Sequence, residues 1–157
     1  PSPHTNAAWR VRIVSLVDCG ELSGDAETNH TIARRAGIPI ATAVDRQSLE
    51  SLVGTPDVLV DCLLGTGATG PPRGLYAEAI RLANRIQVIR IAIDVPTGLD
   101  CDTGIASDPT FMATATLTFV APKVGFSHKE ATDYLGQIVP LGIGVPKKLL
   151  SQYLVEG

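Results

Sequence analysis

Short apolar, β-branched runs alternate along this chain with stretches whose apolar residues recur at helical spacing. That alternation is the sequence form of repeated β-α units. Residues 11–17 (VRIVSLV) predict a buried strand. The SGDAETNHTIARRAG that follows has helix punctuation, with Ser23 at the N-cap, Asp25 and Glu27 in the first turn, Arg34 and Arg35 in the last, and Gly37 as the stop. Ala26, Ile32, Ala33 and Ala36 fall near one face, which the pattern packs on a sheet. Residues 38–43 predict a second short strand and 48–53 a short helix, before a strong central strand over 58–64. An amphipathic helix over 75–85 sets Leu75, Ala79, Leu82 and Ala83 on one side, and residues 88–95 form the next buried strand. Two further strands are expected, over 113–122 (ATATLTFVAP) and 136–145 (GQIVPLGIGV), with Pro140 pointing to an edge or a bulge. A closing helix is expected over 147–154. The expectation is one α/β domain over 1–157 with a mostly parallel sheet, ordered from about residue 10.

Two of these strands end in an aspartate, Asp61 and Asp94, and each is followed by a glycine-bearing loop. In parallel α/β sheets ligands bind beyond the carboxyl ends of the strands. The pattern therefore predicts a small-molecule site at that edge. Gly65, Thr66, Gly67, Ala68, Thr69 and Gly70 match the G-x-G-x-x-G form, which needs its last glycine in the opening turn of a helix. Here Pro71 and Pro72 intervene and delay the helix, giving a longer, more open loop than a dehydrogenase phosphate cradle. Glycines that serve only a sharp turn remain the alternative.

Asp61 lies in an apolar strand, where an unpaired carboxylate is costly to bury. A hard cation with oxygen ligands is one partner for it, and a cap on a neighbouring loop is the other. Asp94 precedes Pro96-Thr97-Gly98 in a tight turn, where a carboxylate beside a pocket can act as general acid or base; bonding to its own turn is the alternative. Thr97 can offer an oxygen to the site. Lys123 follows the 113–122 strand and either faces an anionic ligand or is simply solvated. Asp100, Asp102 and Gly104 are read as shaping their loop.

The 157 residues, 45% hydrophobic and with a formal charge of −3, suit one compact domain and carry no basic block for nucleic acid or a membrane surface. No apolar run approaches the ~20 residues of a membrane span. The opening PSPHTNAAWR lacks both an initiator methionine and the apolar core of a signal peptide, so the chain reads as processed or as a fragment. Cys19, Cys62 and Cys101 are odd in number and without a CxxC pair, which fits a reducing compartment, the cytoplasm. Cys62 is expected to be a small core hydrophobe. The three histidines show no ligand or triad spacing.

VDCLLGTG with its following arginine-glycine, IAIDVPTGLDCDTG, TATLTFVAPKVG and GQIVPLGIGVP together resemble the N-terminal YjeF domain, the NAD(P)H-hydrate epimerase family. SGDAETNHTIARRAGIPI resembles that family's preceding helix and strand. The resemblance implies a three-layer α/β/α Rossmann-like sandwich, usually a homodimer. It implies an isomerase that interconverts the R and S forms of hydrated NADH and NADPH, so that a partner dehydratase specific for the S form can restore the cofactor. A potassium ion supports the site, with Asp61 and Thr97 as its ligands, Thr97 standing where the family usually has serine. Gly65 to Pro71, with Asp94 and Lys123, would bind the substrate, and Asp94 would be the catalytic carboxylate.

The family opens with a helix and a strand that ends in an Asn/Gly-rich nucleotide loop, which has no counterpart before Trp9, and a basic residue often stands near Glu21. The expectation is an N-terminally truncated, incomplete domain of low activity on its own. A non-catalytic nucleotide-binding or scaffold module of the same fold is the alternative, and an ordinary dehydrogenase a third.

Overall fold

The computed structural model describes residues 9–68, 70–146 and 148, and the chain divides into two compact units, residues 1–54 and 55–157. The closing helix expected over 147–154 lies, but for residue 148, outside the described residues.

In the first unit, β1 (Ile13–Ser15) pairs in parallel with β2 (Ile40–Thr42), Ile13 standing opposite Ile40. Between them runs α1 (Gly24–Arg35), with Ser23 at the predicted N-cap position but making no side-chain cap bond. The apolar face expected to be covered is not: α1 has no buried residue, and Ile32 is 58% exposed. A two-stranded ribbon offers too little area to cover a helix of this length. The second helix, α2 (Arg46–Val53), starts two residues earlier than the spacing predicts, because Asp45 caps it. Asp45 Oδ1 accepts from the Ser48 N–H at 2.7 Å while the Ser48 hydroxyl oxygen accepts from the Asp45 N–H at 3.1 Å, a reciprocal capping box.

The second unit holds β3 (Val58–Asp61), α3 (Gly74–Arg85), β4 (Ile89–Ile93), β5 (Ala115–Phe119), α4 (Thr132–Leu135) and β6 (Gln137–Leu141). Its sheet runs β3-β4-β5-β6, parallel throughout. Parallel sheets joined by helical crossovers are the α/β, Rossmann-like class expected. Pro140 falls on the edge strand β6, where a missing N–H costs no ladder bond.

β3 is an edge strand rather than the central one its apolar run predicts, and β1 pairs only with β2 among the described residues.

All strands of the second unit advance in one direction, so right-handed crossovers bring their connections to one face. That face carries the registered row Asp61, Ala92, Thr116 and Ile138. Beneath α3, Ile80, Ala92 and Phe111 form one cluster with Leu63, Ala83 and Ala113. Beneath residues 124–135, Val95, Leu99, Phe126, Ala131 and Leu135 form a second with Ile138. Val60 and Ile89, in alternation with that row, are exposed. The helix start at Gly74 follows the two prolines, as their lack of an N–H and their steric demand predict. No helix among the described residues is long and apolar enough to cross a membrane.

Candidate active site at the carboxyl ends of the strands

Both aspartates sit where the alternation places them: Asp61 is the last residue of β3, and Asp94 immediately follows β4. Asp61 is 3% exposed, yet every donor it needs is supplied locally. Its Oδ2 accepts from the Thr97 N–H at 2.7 Å, and its Oδ1 accepts from the Thr97 hydroxyl at 2.7 Å and the Leu63 N–H at 3.1 Å. Burial pushes the Asp61 carboxyl above its ordinary range, against the opposing pull of the bonds from Thr97 and Leu63. The Thr97 oxygen in turn accepts from the Leu64 N–H at 3.1 Å and lies 3.4 Å from the Leu64 carbonyl. One carboxylate thus ties the β3 exit to the β4 exit.

The turn that carries Thr97 is fixed from below. Gly98 has a φ of +97°, and a Cβ there would lie 2.7 Å from the Pro109 carbonyl oxygen. Only glycine combines that backbone with that approach.

Asp94 is the more strained of the two, a non-glycine residue at φ +68°. Such a conformation costs on the order of 1–3 kcal/mol and persists where the surroundings over-determine it. Here the Asp94 N–H donates to the Leu117 carbonyl at 2.8 Å, and its Oδ1 gathers three donors. These are Lys123 Nζ at 2.6 Å, the Phe119 N–H at 3.0 Å and the Thr118 hydroxyl at 3.3 Å. Burial alone would raise the Asp94 carboxyl. The bond and charge of Lys123, with the bonds from Phe119 and Thr118, outweigh it and hold the carboxyl below its usual range. The bonding is to the end of β5, not to Asp94's own turn.

Lys123 therefore neither stands solvated nor points out alone: it pairs with Asp94 and also donates to the Phe119 carbonyl at 3.3 Å. Gly65, Thr66, Gly67 and Ala68 form an exposed turn beyond β3, closed by the Ala68 N–H to the Gly65 carbonyl at 3.0 Å, and Gly70 and Pro71 continue it in the open. Thr69 lies outside the described residues. The structure thus assembles two pairs, Asp61 with Thr97 and Asp94 with Lys123, and leaves the glycine loop exposed after β3. The reading of Asp100 as a loop former holds, since its Oδ1 accepts from the N–H groups of Asp102 and Thr103 and from the Thr103 hydroxyl. Cys62 is a correction: it is exposed, because β3 ends at Asp61 and the next residue has already left the sheet.

Sequence reasoning missed Thr118. It is fully buried on β5, and the strict alternation of ATLTF, which puts Thr116 and Thr118 on one covered face, was the available signal.

An α/β chain with these two aspartate turns, registered at the ends of adjacent parallel strands, has close relatives. The family profile described as YjeF-related protein N-terminus matches residues 5–125. The chain belongs to this family. Among members, an NAD(P)H-hydrate epimerase of Rhodopirellula baltica is 45% identical over 153 residues, covering 97% of this chain and 62% of the relative. One of Pirellula staleyi is 39% identical, over 95% of this chain and 67% of the relative. A bifunctional NAD(P)H-hydrate repair enzyme of Moorella thermoacetica is 31% identical, over 93% of this chain but 28% of its own length. The chain thus spans about two thirds or less of the curated relatives it matches. The crystal structure of yeast ynu0 (YNL200c) superposes with a TM-score of 0.62 at 21% identity, over 87% of this chain and 56% of that one. That likeness supports the family's fold.

Proposed function

We propose that this chain supplies the site of an NAD(P)H-hydrate epimerase, an isomerase acting on hydrated NADH and NADPH. The observation that carries the reading is the strained, cation-paired Asp94 at the carboxyl end of β4, one strand from the Asp61–Thr97 pair. Epimerising a hydroxyl-bearing ring carbon requires the hydroxyl to leave as water and water to return on the opposite face. Asp94, held ionised by Lys123, is suited to take the proton from the incoming water. That proton replaces the one the departing hydroxyl takes from the carboxylic-acid form of Asp94 in the first half of the reaction, so the carboxyl ends each turnover as it began. The loop from Gly65 to Pro71 would line the nucleotide's phosphates, a reading supported by the open space around Gly65, Gly67 and Gly70, where nothing lies within 4 Å of an added carbon.

A potassium ion fits the first pair. Asp61 and Thr97 offer oxygens only, with the Leu64 carbonyl beside them, a donor set suited to a hard cation. A cation there would also offset the charge that burial disfavours on Asp61. Its contribution when bound is electrostatic, through the loops that carry these residues. The further parts of the reading are a homodimer, a dehydratase as working partner, and the cytoplasm as the reducing compartment for three free cysteines.

The test is a coupled assay on the full-length protein. The R hydrate of NADH is mixed with an S-specific dehydratase, and NADH recovery is followed by absorbance. Rapid recovery that depends on this protein supports the epimerase. Recovery at the dehydratase-only rate, with the nucleotide still bound by this protein, overturns it in favour of a binding module.

A further inference from the structure

Lys123 has two possible uses at an epimerase site: it can hold an anionic group of the ligand, or it can act on Asp94. The geometry favours the second. The ammonium lies 2.6 Å from Asp94 Oδ1 and 3.3 Å from the Phe119 carbonyl. The same peptide segment returns the Phe119 N–H to Oδ1 at 3.0 Å, so the end of β5 holds both members of the pair. All three donors to the Asp94 side chain meet one oxygen, and none among the described residues meets Oδ2. Of the two non-glycine residues described with positive φ, Asp94 at +68° is a member of this pair and Val120 at +70° lies three residues before Lys123. Val120 is pinned there by its N–H to the Leu141 carbonyl at 2.8 Å, a bond from the β5 exit to β6. The three donors thus hold one carboxylate oxygen and leave the other without a protein donor among the described residues.

We infer that Lys123 is a positioning residue. It locks Asp94 Oδ1 against the end of β5, so that Oδ2 is the oxygen that works on the hydrated nucleotide, and it is not the ligand's anion anchor. The inference rests on the epimerase reading for its catalytic consequence but not for the pair itself, and the two are separable. Lys123 is the one charged side chain acting on Asp94 among the described residues. Its removal frees a carboxylate that the Phe119 N–H and the Thr118 hydroxyl alone then orient.

The test uses the full-length protein with Lys123→Met, Lys123→Arg and Asp94→Asn variants, each first shown by its thermal melt to be folded. Carbon-13 NMR of the aspartate carboxyls follows the titration of Asp94, assigned by its loss in Asp94→Asn. The expected result is an Asp94 titration moved upward in Lys123→Met and largely restored in Lys123→Arg, a readout that needs no enzyme activity. An unmoved titration overturns the inference. In the coupled assay, Lys123→Met is expected to lower kcat by about 10–100-fold with little change in KM, since misplacing a catalytic group costs rate rather than affinity. Combining it with Asp94→Asn should add no further loss, because the lysine acts through the aspartate. A raised KM with unchanged kcat overturns the inference and makes Lys123 the anion anchor. If the titration moves but the unmodified protein shows no epimerase activity, the pair stands and the epimerase reading fails.

Discussion

Thr97 binds Asp61 twice, its N–H reaching Oδ2 and its hydroxyl reaching Oδ1, both at 2.7 Å and across 36 residues of sequence. The two bonds fasten the exits of adjacent strands and satisfy a carboxylate that is almost wholly buried. Thr97→Val removes the hydroxyl at constant shape and leaves Oδ1 with only the Leu63 N–H. A loss of about 1–3 kcal/mol is expected in urea unfolding, the cost of an under-satisfied buried group. Thr97→Ser keeps the hydroxyl and should lose less than about 1 kcal/mol. A larger loss for Thr97→Ser than for Thr97→Val would place the threonine's value in its methyl group instead.

If Asp61 and Thr97 hold potassium, the ion binds the native state and not the unfolded chain. Potassium at ten times its Kd then adds about 1.4 kcal/mol. A higher Tm is expected in potassium chloride than in tetramethylammonium chloride at matched ionic strength, and Asp61→Asn should abolish the difference. Identical melts in both salts would remove the cation from the site.

Acid stability separates the two aspartates. The folded Asp94 carboxyl titrates below its unfolded value, so its stabilisation is complete above the ordinary carboxylate range and is lost as pH falls through the lower folded value. Asp61, raised by burial, has the opposite sign: its ionisation opposes folding, and that opposition fades as pH falls through its raised value. Urea midpoints measured from about pH 2 to 7 should show a shallower acid decline in Asp94→Asn than in the unmodified protein. The difference should be small, because Asp94 is one-fifth exposed and solvent screens its pairing. A steeper decline in the variant would reverse the sign assigned here.

Gly98→Ala combines a positive φ with contacts of 2.7 Å to the Pro109 carbonyl oxygen and 2.8 Å to Thr110 Oγ1. A loss of more than about 2 kcal/mol is expected, with Thr97 displaced from Asp61. Gly70→Ala is the comparison: its φ is +77°, but nothing lies within 4 Å of the added carbon. It should cost only about 1–2 kcal/mol, the intrinsic left-handed penalty. The chevron arms or urea midpoints of the two variants decide between strain alone and strain with collision.

Asn84 offers a last check on how the crossover is fastened. From the final turn of α3 its side-chain amide donates to the Thr110 carbonyl at 2.8 Å, and its oxygen accepts from the Met112 N–H at 2.9 Å. Asn84→Ala breaks both bonds at the segment against which Gly98 packs, so about 1–3 kcal/mol should be lost. Asn84→Asp keeps the acceptor and should recover part of that loss; no recovery would mean that the Met112 bond contributes little.

The sequence by itself determined the order of strands and helices, the delayed start of α3 behind Pro71 and Pro72, and the two aspartates at strand ends. These are local properties, set by side-chain period, by capping chemistry and by proline's missing N–H. The family could be read from motifs for the same reason, since the loops that carry them are continuous in sequence. Tertiary structure decided the rest. Whether Lys123 faces solvent, ligand or Asp94 depends on how the end of β5 meets the end of β4, since Lys123 and Asp94 stand 29 residues apart in the chain. The burial of Thr118 and the exposure of Cys62 follow from where each strand stops against its neighbour, and α1's uncovered face from a sheet of only two strands. No periodicity encodes those junctions, because they are contacts between elements, and only the register of the parallel sheet brings them into being.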